Sequence, residues 1–310
     1  MLWILIIVAY LDVLTRLWKS GLRRIDGQLS WFAAMATVAV AFCFKLSFAA
    51  YDANELIPSW LGSVLQYTAE YSLVTQAQAV FGMVGAGMVY TFVFEINEGD
   101  ATYSKLLFTS CYPKRTDESL GSLECAATAL GEFTDLFLLT QTRFTNIPLI
   151  FFFRLISRQL SSLTTVTASE ITLTVLIMQH VSFFSLGGAN AISSVDLSNA
   201  YNGVAGYNIV LVGFLTLVSN WVGSIFWASS TSGLLPGKSD DWRRHVFTMT
   251  VFYAVAGVAV MAACTALRTH LFIWTVFSPK YLYLMAWTLG FHFVAGVGWG
   301  SVMWAVRPKE

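Results

Sequence analysis

The sequence is short of charge, short of proline and empty of the signatures of soluble enzymes. Only 12% of its 310 residues are charged against 56% hydrophobic, and the mean hydropathy is +0.63. That charged share is roughly half of what a soluble domain carries, so a soluble fold would have no way to hide this much apolar surface. Lysines and arginines number 18 and so do the acidic residues, which leaves no net charge to draw the chain toward nucleic acid. Cys43, Cys111, Cys125 and Cys264 form no CxxC pair, and thiols in apolar runs behave as small hydrophobes, so no redox or metal role is assigned to them. There is no Walker A loop, GxSxG elbow, HExxH pair or dinucleotide fingerprint. No catalytic residue and no metal ligand can be named from these residues.

What the sequence has instead is long apolar runs. Six reach spanning length, at roughly 31–50, 76–96, 165–186, 207–230, 246–267 and 281–305. Met1 opens directly into the apolar run Leu2 to Leu11, with no basic residues ahead of it and no small-residue cleavage site behind, unlike a signal peptide. Residues 1–14 read as a seventh span, or the surviving end of one. The stretches 122–141, carrying Glu124, Glu132 and Asp135, and 144–157, carrying Pro148 and Arg154, read as two tilted spans or one re-entrant hairpin. The expected architecture is an all-α polytopic transmembrane bundle of about eight or nine spans filling 1–310 as one membrane domain. No internal repeat, low-complexity tract or long linker divides it.

Basic residues concentrate in cytoplasmic loops, which orients the bundle. With the N-terminus outside, fourteen of the 18 lysines and arginines fall inside, whereas Arg143, Arg268 and Lys280 fall outside and Lys45 lies within a span near its outer end. The segments near 51–75, 187–206 and 268–280 are thereby placed on the lumenal or external face.

Two of those segments carry the polar chemistry. Ser182 to Val210 reads SFFSLGGANAISSVDLSNAYNGVAGYNIV, a glycine pair followed by a dense set of small polar side chains. Asn190, Ser193, Asp196, Asn199, Tyr201 and Asn202 could hydrogen-bond a sugar or lipid headgroup, and the same residue types build turns and helix caps. Asp196 can accept from a hydroxyl or ammonium or cap the following helix, and without a partner acid or histidine it is weak evidence for acid–base work. From Arg268 to Tyr283 the chain reads RTHLFIWTVFSPKYLY, in which Arg268, His270 and Lys280 could hold a lipid phosphate or simply anchor at the interface. Within the runs, Glu95, Glu132, Asp135, Glu170 and His180 are ionisable where ionisation is costly, which marks a polar pathway or headgroup cavity. His180 is expected to bond a neighbouring helix, and His245, His270 and His292 stand isolated in the sequence.

Three separated stretches, FFSLGGANAISSVDLSNAYNGVAGYN, then SNWVGSIFWAS from Ser219 to Ser229, then HLFIWTVFSPKYLY from His270 to Tyr283, resemble the C-terminal membrane region of the glycosylphosphatidylinositol (GPI) ethanolamine-phosphate transferases, most closely the second-mannose type. The resemblance implies an endoplasmic reticulum multi-pass membrane enzyme. It would move phosphoethanolamine from phosphatidylethanolamine to a mannose of the GPI precursor on the lumenal side. It also implies an N-terminal alkaline-phosphatase-like domain with zinc and a threonine nucleophile, no part of which lies in these residues, and a small membrane partner subunit. This chain would then hold the lipid substrates and need no cofactor of its own. The competing classes are a lipid transporter or scramblase and a non-catalytic membrane scaffold.

Overall fold

The structure, a computed structural model, describes residues 1–19, 27–92, 122–163, 166–188, 195–235, 239–270 and 278–306. Their regular secondary structure is helical, with no strand among the described residues. The helices are α1 (Leu2–Lys19), α2 (Gly27–Ala53), α3 (Gly62–Thr68), α4 (Leu73–Tyr90), α5 (Ser122–Gln141), α6 (Ile147–Ser161), α7 (Ala168–Ser185), α8 (Ile209–Asn220), α9 (Val222–Leu234), α10 (Ser239–Ala266), α11 (Ser278–Met285) and α12 (Gly300–Val306). A π-helical stretch, Ala286–Trp299, joins the last two.

Four helical stretches among the described residues are long and apolar enough to cross a membrane: Phe32–Leu56, Leu73–Tyr90, Asp240–Ala266 and Ser278–Ala305. A fifth results if α8 and α9 are taken together. The expected span at 207–230 corresponds to this broken pair, bent by 78° at Trp221. Exposed apolar stripes show where lipid would lie. On α10, Phe247, Val251, Val255, Val258 and Met261 point outward while Met249 and Tyr253 are buried, an arrangement that water would penalise and hydrocarbon favours.

The chain divides into two compact units, one comprising chiefly Met1–Arg154 with Asn199–Leu215 and the other Leu155–Ser198 with Thr216–Ala305. In the first, α1 buries Trp3, Ile6, Tyr10, Val13 and Leu17. Those positions recur every three or four residues, so one stripe faces the unit's interior, and α1 packs on α2 and α5. Trp3 stacks on Phe144 with centroids 5.9 Å apart and donates its indole N–H to the Leu56 carbonyl at 2.7 Å. The uncertain 122–157 region forms two helices, α5 and α6, joined by a short turn, and Arg154 of α6 bonds Glu132 and Asp135 of α5. Pro148 does not interrupt α6. It lies in the first turn, where proline's missing N–H and fixed φ do no harm.

In the second unit, a capping box at Thr167 and Glu170 starts α7: each side chain bonds the other's backbone N–H. Glu170 is therefore a helix-capping residue rather than part of a polar pathway. The closest packing is α7 on α9, where a Cβ on Gly223 would stand 2.7 Å from the Ser182 Cβ, so only glycine permits the approach. Ser224 fixes the pair by donating to the Gln179 carbonyl at 2.7 Å.

Candidate functional site

The polar loop is held from within its own unit by a side chain that sequence reasoning left unassigned. Lys45, fully buried in the last third of α2, donates from Nζ to the Thr142 carbonyl at 2.6 Å and to Asn199 Oδ1 at 3.2 Å. The Phe48 ring centroid lies 4.9 Å from the ammonium. A buried ammonium costs several kcal/mol of lost hydration. Two charge-assisted hydrogen bonds, worth roughly 1.5–3 kcal/mol each, and an aromatic face offset that cost.

Asn199 Oδ1 also accepts from Asn202 Nδ2 at 3.1 Å, and Gln78 of α4 donates to the Gly203 carbonyl at 2.9 Å. The loop at 199–203 is thus bound to α2 and α4, and through Lys45 it is tied to the α5–α6 turn. Asn199 and Asn202 are both buried, whereas Tyr201 between them is half exposed. The two asparagines build the loop, and Tyr201 is the side chain it presents outward.

Elsewhere in the first unit the acidic residues expected to mark a polar pathway are consumed in an ion network. Arg154 spans three carboxylates: Nη2 meets Glu132 at 2.5 Å, Nε meets Asp12 at 3.1 Å, and Nη1 bonds Asp135. Arg16 adds a second guanidinium on Glu132 at 3.2 Å. The guanidinium fork suits bidentate pairing with several carboxylates, and it ties α1, α5 and α6 together. Glu95 lies outside the described residues.

In the second unit, Asp196 is clamped through its backbone by Asn220. Asn220 Oδ1 accepts from the Asp196 N–H at 2.9 Å and Nδ2 donates to its carbonyl at 3.0 Å. The Asp196 carboxylate in turn accepts from the Ser198 N–H at 2.9 Å, a local turn of the kind aspartate favours. Asn220 is the last residue of α8, so the clamp stands at the break between α8 and α9. Phe183, Trp221, Tyr283 and Trp287 gather beside that break, with Trp221 5.7 Å from Phe183 and 5.8 Å from both Tyr283 and Trp287. Arg268 and His270 are exposed just beyond α10, and Lys280 is exposed on the first turn of α11. Asn190 and Ser193 lie outside the described residues.

His180 departs from expectation. It bonds the Leu176 carbonyl of its own helix at 2.9 Å and stacks on Trp287 at 4.8 Å, rather than reaching a neighbour by hydrogen bond. Among the described residues no three His, Cys, Asp or Glu side chains converge on a point where an ion could sit. The zinc that the resemblance implies therefore has no fitting residues among them.

A helical membrane region with a polar loop pinned by a buried lysine is the class these features define. The chain belongs to the GPI ethanolamine phosphate transferase membrane region family, whose model matches residues 1–309. It is 40% identical over 267 residues to GPI ethanolamine phosphate transferase 2 of Aspergillus oryzae, covering 86% of this chain and 29% of that protein. The like-named protein of Yarrowia lipolytica is 31% identical over 339 residues, covering 93% of this chain and 36% of its own length. That of Aspergillus fumigatus is 54% identical over 145 residues, 46% of this chain and 19% of that protein. The chain thus spans roughly a third or less of the curated relatives it matches. No solved structure matches it.

Proposed function

We propose that this chain is the membrane region of an endoplasmic reticulum enzyme that transfers phosphoethanolamine from phosphatidylethanolamine to a mannose, the second, of the GPI precursor. Its part is to hold the two lipids with their headgroups at the lumenal face. The observation that carries this reading is the family match along residues 1–309. The names of the relatives, each a GPI ethanolamine phosphate transferase 2, agree with the second-mannose assignment. The full bundle in this proposal has eight or nine spans, about as many as its apolar runs provide, and works with a small membrane partner subunit. Its zinc belongs to a catalytic domain outside these residues.

The proposed headgroup contacts are Asn190, Ser193, Asp196, Asn199, Tyr201, Asn202, Arg268, His270 and Lys280. Their burial supports a division of roles among the described ones in this proposal. Asn199 and Asn202 shape the loop from inside, while the accessible Tyr201, Arg268, His270 and Lys280 are the ones placed to touch a headgroup, with half-buried Asp196 at the loop's start. Alanine at Asp196, Tyr201, Arg268 or Lys280 in the intact enzyme should raise KM for the lipid substrates with little change in melting temperature. Unchanged KM and kcat in all four variants would remove the headgroup assignment.

The broken pair α8–α9 favours a second reading, since lipid and solute transporters build sites at interrupted helices. Vesicles carrying the chain that exchange labelled phospholipid between leaflets, without headgroup transfer by the intact protein, would support a transport or scramblase role instead.

A further inference from the structure

Two histidines that stand 47 positions apart in the sequence line one small cavity in the second unit. The cavity measures about 10 Å³ and is bordered by Gln179 of α7, His245 and Met249 of α10, and His292 and Gly296 of the π-helical stretch. That is room for about one water molecule.

The hydrogen bonds around it favour one tautomer of each histidine. Thr172 Oγ1 spends its single proton on the Ala168 carbonyl at 2.8 Å, so toward His245 Nδ1, 3.1 Å away, it can only accept. His245 is therefore protonated on Nδ1 and keeps a lone pair on Nε2. Thr250 Oγ1 likewise donates to the Val246 carbonyl at 2.7 Å and must accept from His292 Nε2 at 2.9 Å. His292 keeps its lone pair on Nδ1, the mirror arrangement.

Gln179 is oriented by the same reasoning. Trp287 Nε1 can only donate, and it does so to the Tyr253 hydroxyl at 2.7 Å, so the Tyr253 proton goes to Gln179 Oε1 at 3.3 Å. The side-chain amide of Gln179 then has its N–H donors left over. Gly296 leaves the approach to His292 open: a Cβ there would stand 3.5 Å from Nδ1.

Three side chains that line a space of one water's size thus carry two acceptors and one donor between them. We infer that this cavity is a buried water site. The water donates to His245 Nε2 and His292 Nδ1 and accepts from the Gln179 amide, the roughly three hydrogen bonds typical of internal waters. The site links α7, α10 and the π-helical stretch. It also falls at an i→i+5 ladder, a form that is rare and occurs frequently at functional sites. A metal ion would find two imidazole nitrogens but no carboxylate or thiolate in the set.

The test is solid-state NMR on the chain in lipid bilayers with ¹⁵N-labelled histidine; it has only four histidines, and His245→Gln and His292→Gln assign the two signals. The expected result is opposite neutral tautomers at the two positions, with magnetisation passing from water protons to both unprotonated nitrogens. Gly296→Ala should abolish the transfer to His292 and leave the His292 tautomer unchanged. Matching tautomers, absence of water transfer in the unsubstituted chain, or signals that change when EDTA strips a bound metal would each overturn the assignment.

Discussion

Among the described residues, the charged side chains that are buried, Lys45, Glu132, Asp135 and Arg154, all belong to the first unit, whereas the second buries neutral groups such as Gln179, Ser224 and Thr231 beside His245 and His292. The two units therefore hold their polar interiors in different ways. In the first, each buried charge is tolerable only because its partners are in place, so deleting one strands the others. In the second, most hydroxyls bond the carbonyls of their own helices, Ser224 on the Gln179 carbonyl being an exception, and rings stack on one another, as Thr231 on the Trp227 carbonyl and Trp287 on His180 illustrate. Losses there stay local.

The contrast predicts an order of effects. Arg154→Met removes the guanidinium that Glu132, Asp135 and Asp12 share and should cost about 3–5 kcal/mol, read as a collapse of the melting temperature or of folded yield; Arg154→Lys, lacking the planar fork, should recover only part. Lys45→Met leaves the Thr142 carbonyl and Asn199 Oδ1 buried without the ammonium and should cost about 1–3 kcal/mol. Asn199→Asp places a carboxylate against Lys45 and should be tolerated far better than Asn199→Leu in the same melting assay.

In the second unit, Gly223→Ala drives a methyl into Ser182 and should cost about 1–3 kcal/mol by overpacking. Trp287→Phe removes one indole donor while keeping an aromatic ring and should cost about 0.5–1.5 kcal/mol. If Trp287→Phe proved as damaging as Arg154→Met, the contrast between charged and uncharged interiors would be wrong.

The long apolar helices were legible in the sequence because composition alone defines them, as α10 shows. The break at Trp221 was not, since SNW contains neither proline nor glycine. The distant partner that clamps the end of α8 is Asp196, 24 residues away. Lys45 was visible as an oddity within a run, yet its partners lie 97 and 154 residues further on, and no local pattern announces such a contact. Glu132 and Asp135 read as a pathway until Arg154 was seen to occupy them. The polar loop was found as a segment, but the division into inward asparagines and an outward tyrosine depends on Lys45. The histidine pair was hidden because its members sit on separate helices and are oriented by threonines that look ordinary in sequence.

The central claim is that the polar loop and the Arg268–Tyr283 segment meet lipid headgroups in a phosphoethanolamine transferase. Photocrosslinking the intact enzyme in membranes with phosphatidylethanolamine bearing a headgroup diazirine, followed by peptide mapping, tests it most directly. The account predicts adducts concentrated within 195–202 and at 268–270 and 278–283, reduced by excess unlabelled phosphatidylethanolamine. Adducts spread along the outward stripe of α10, with neither segment labelled above that background, would contradict it.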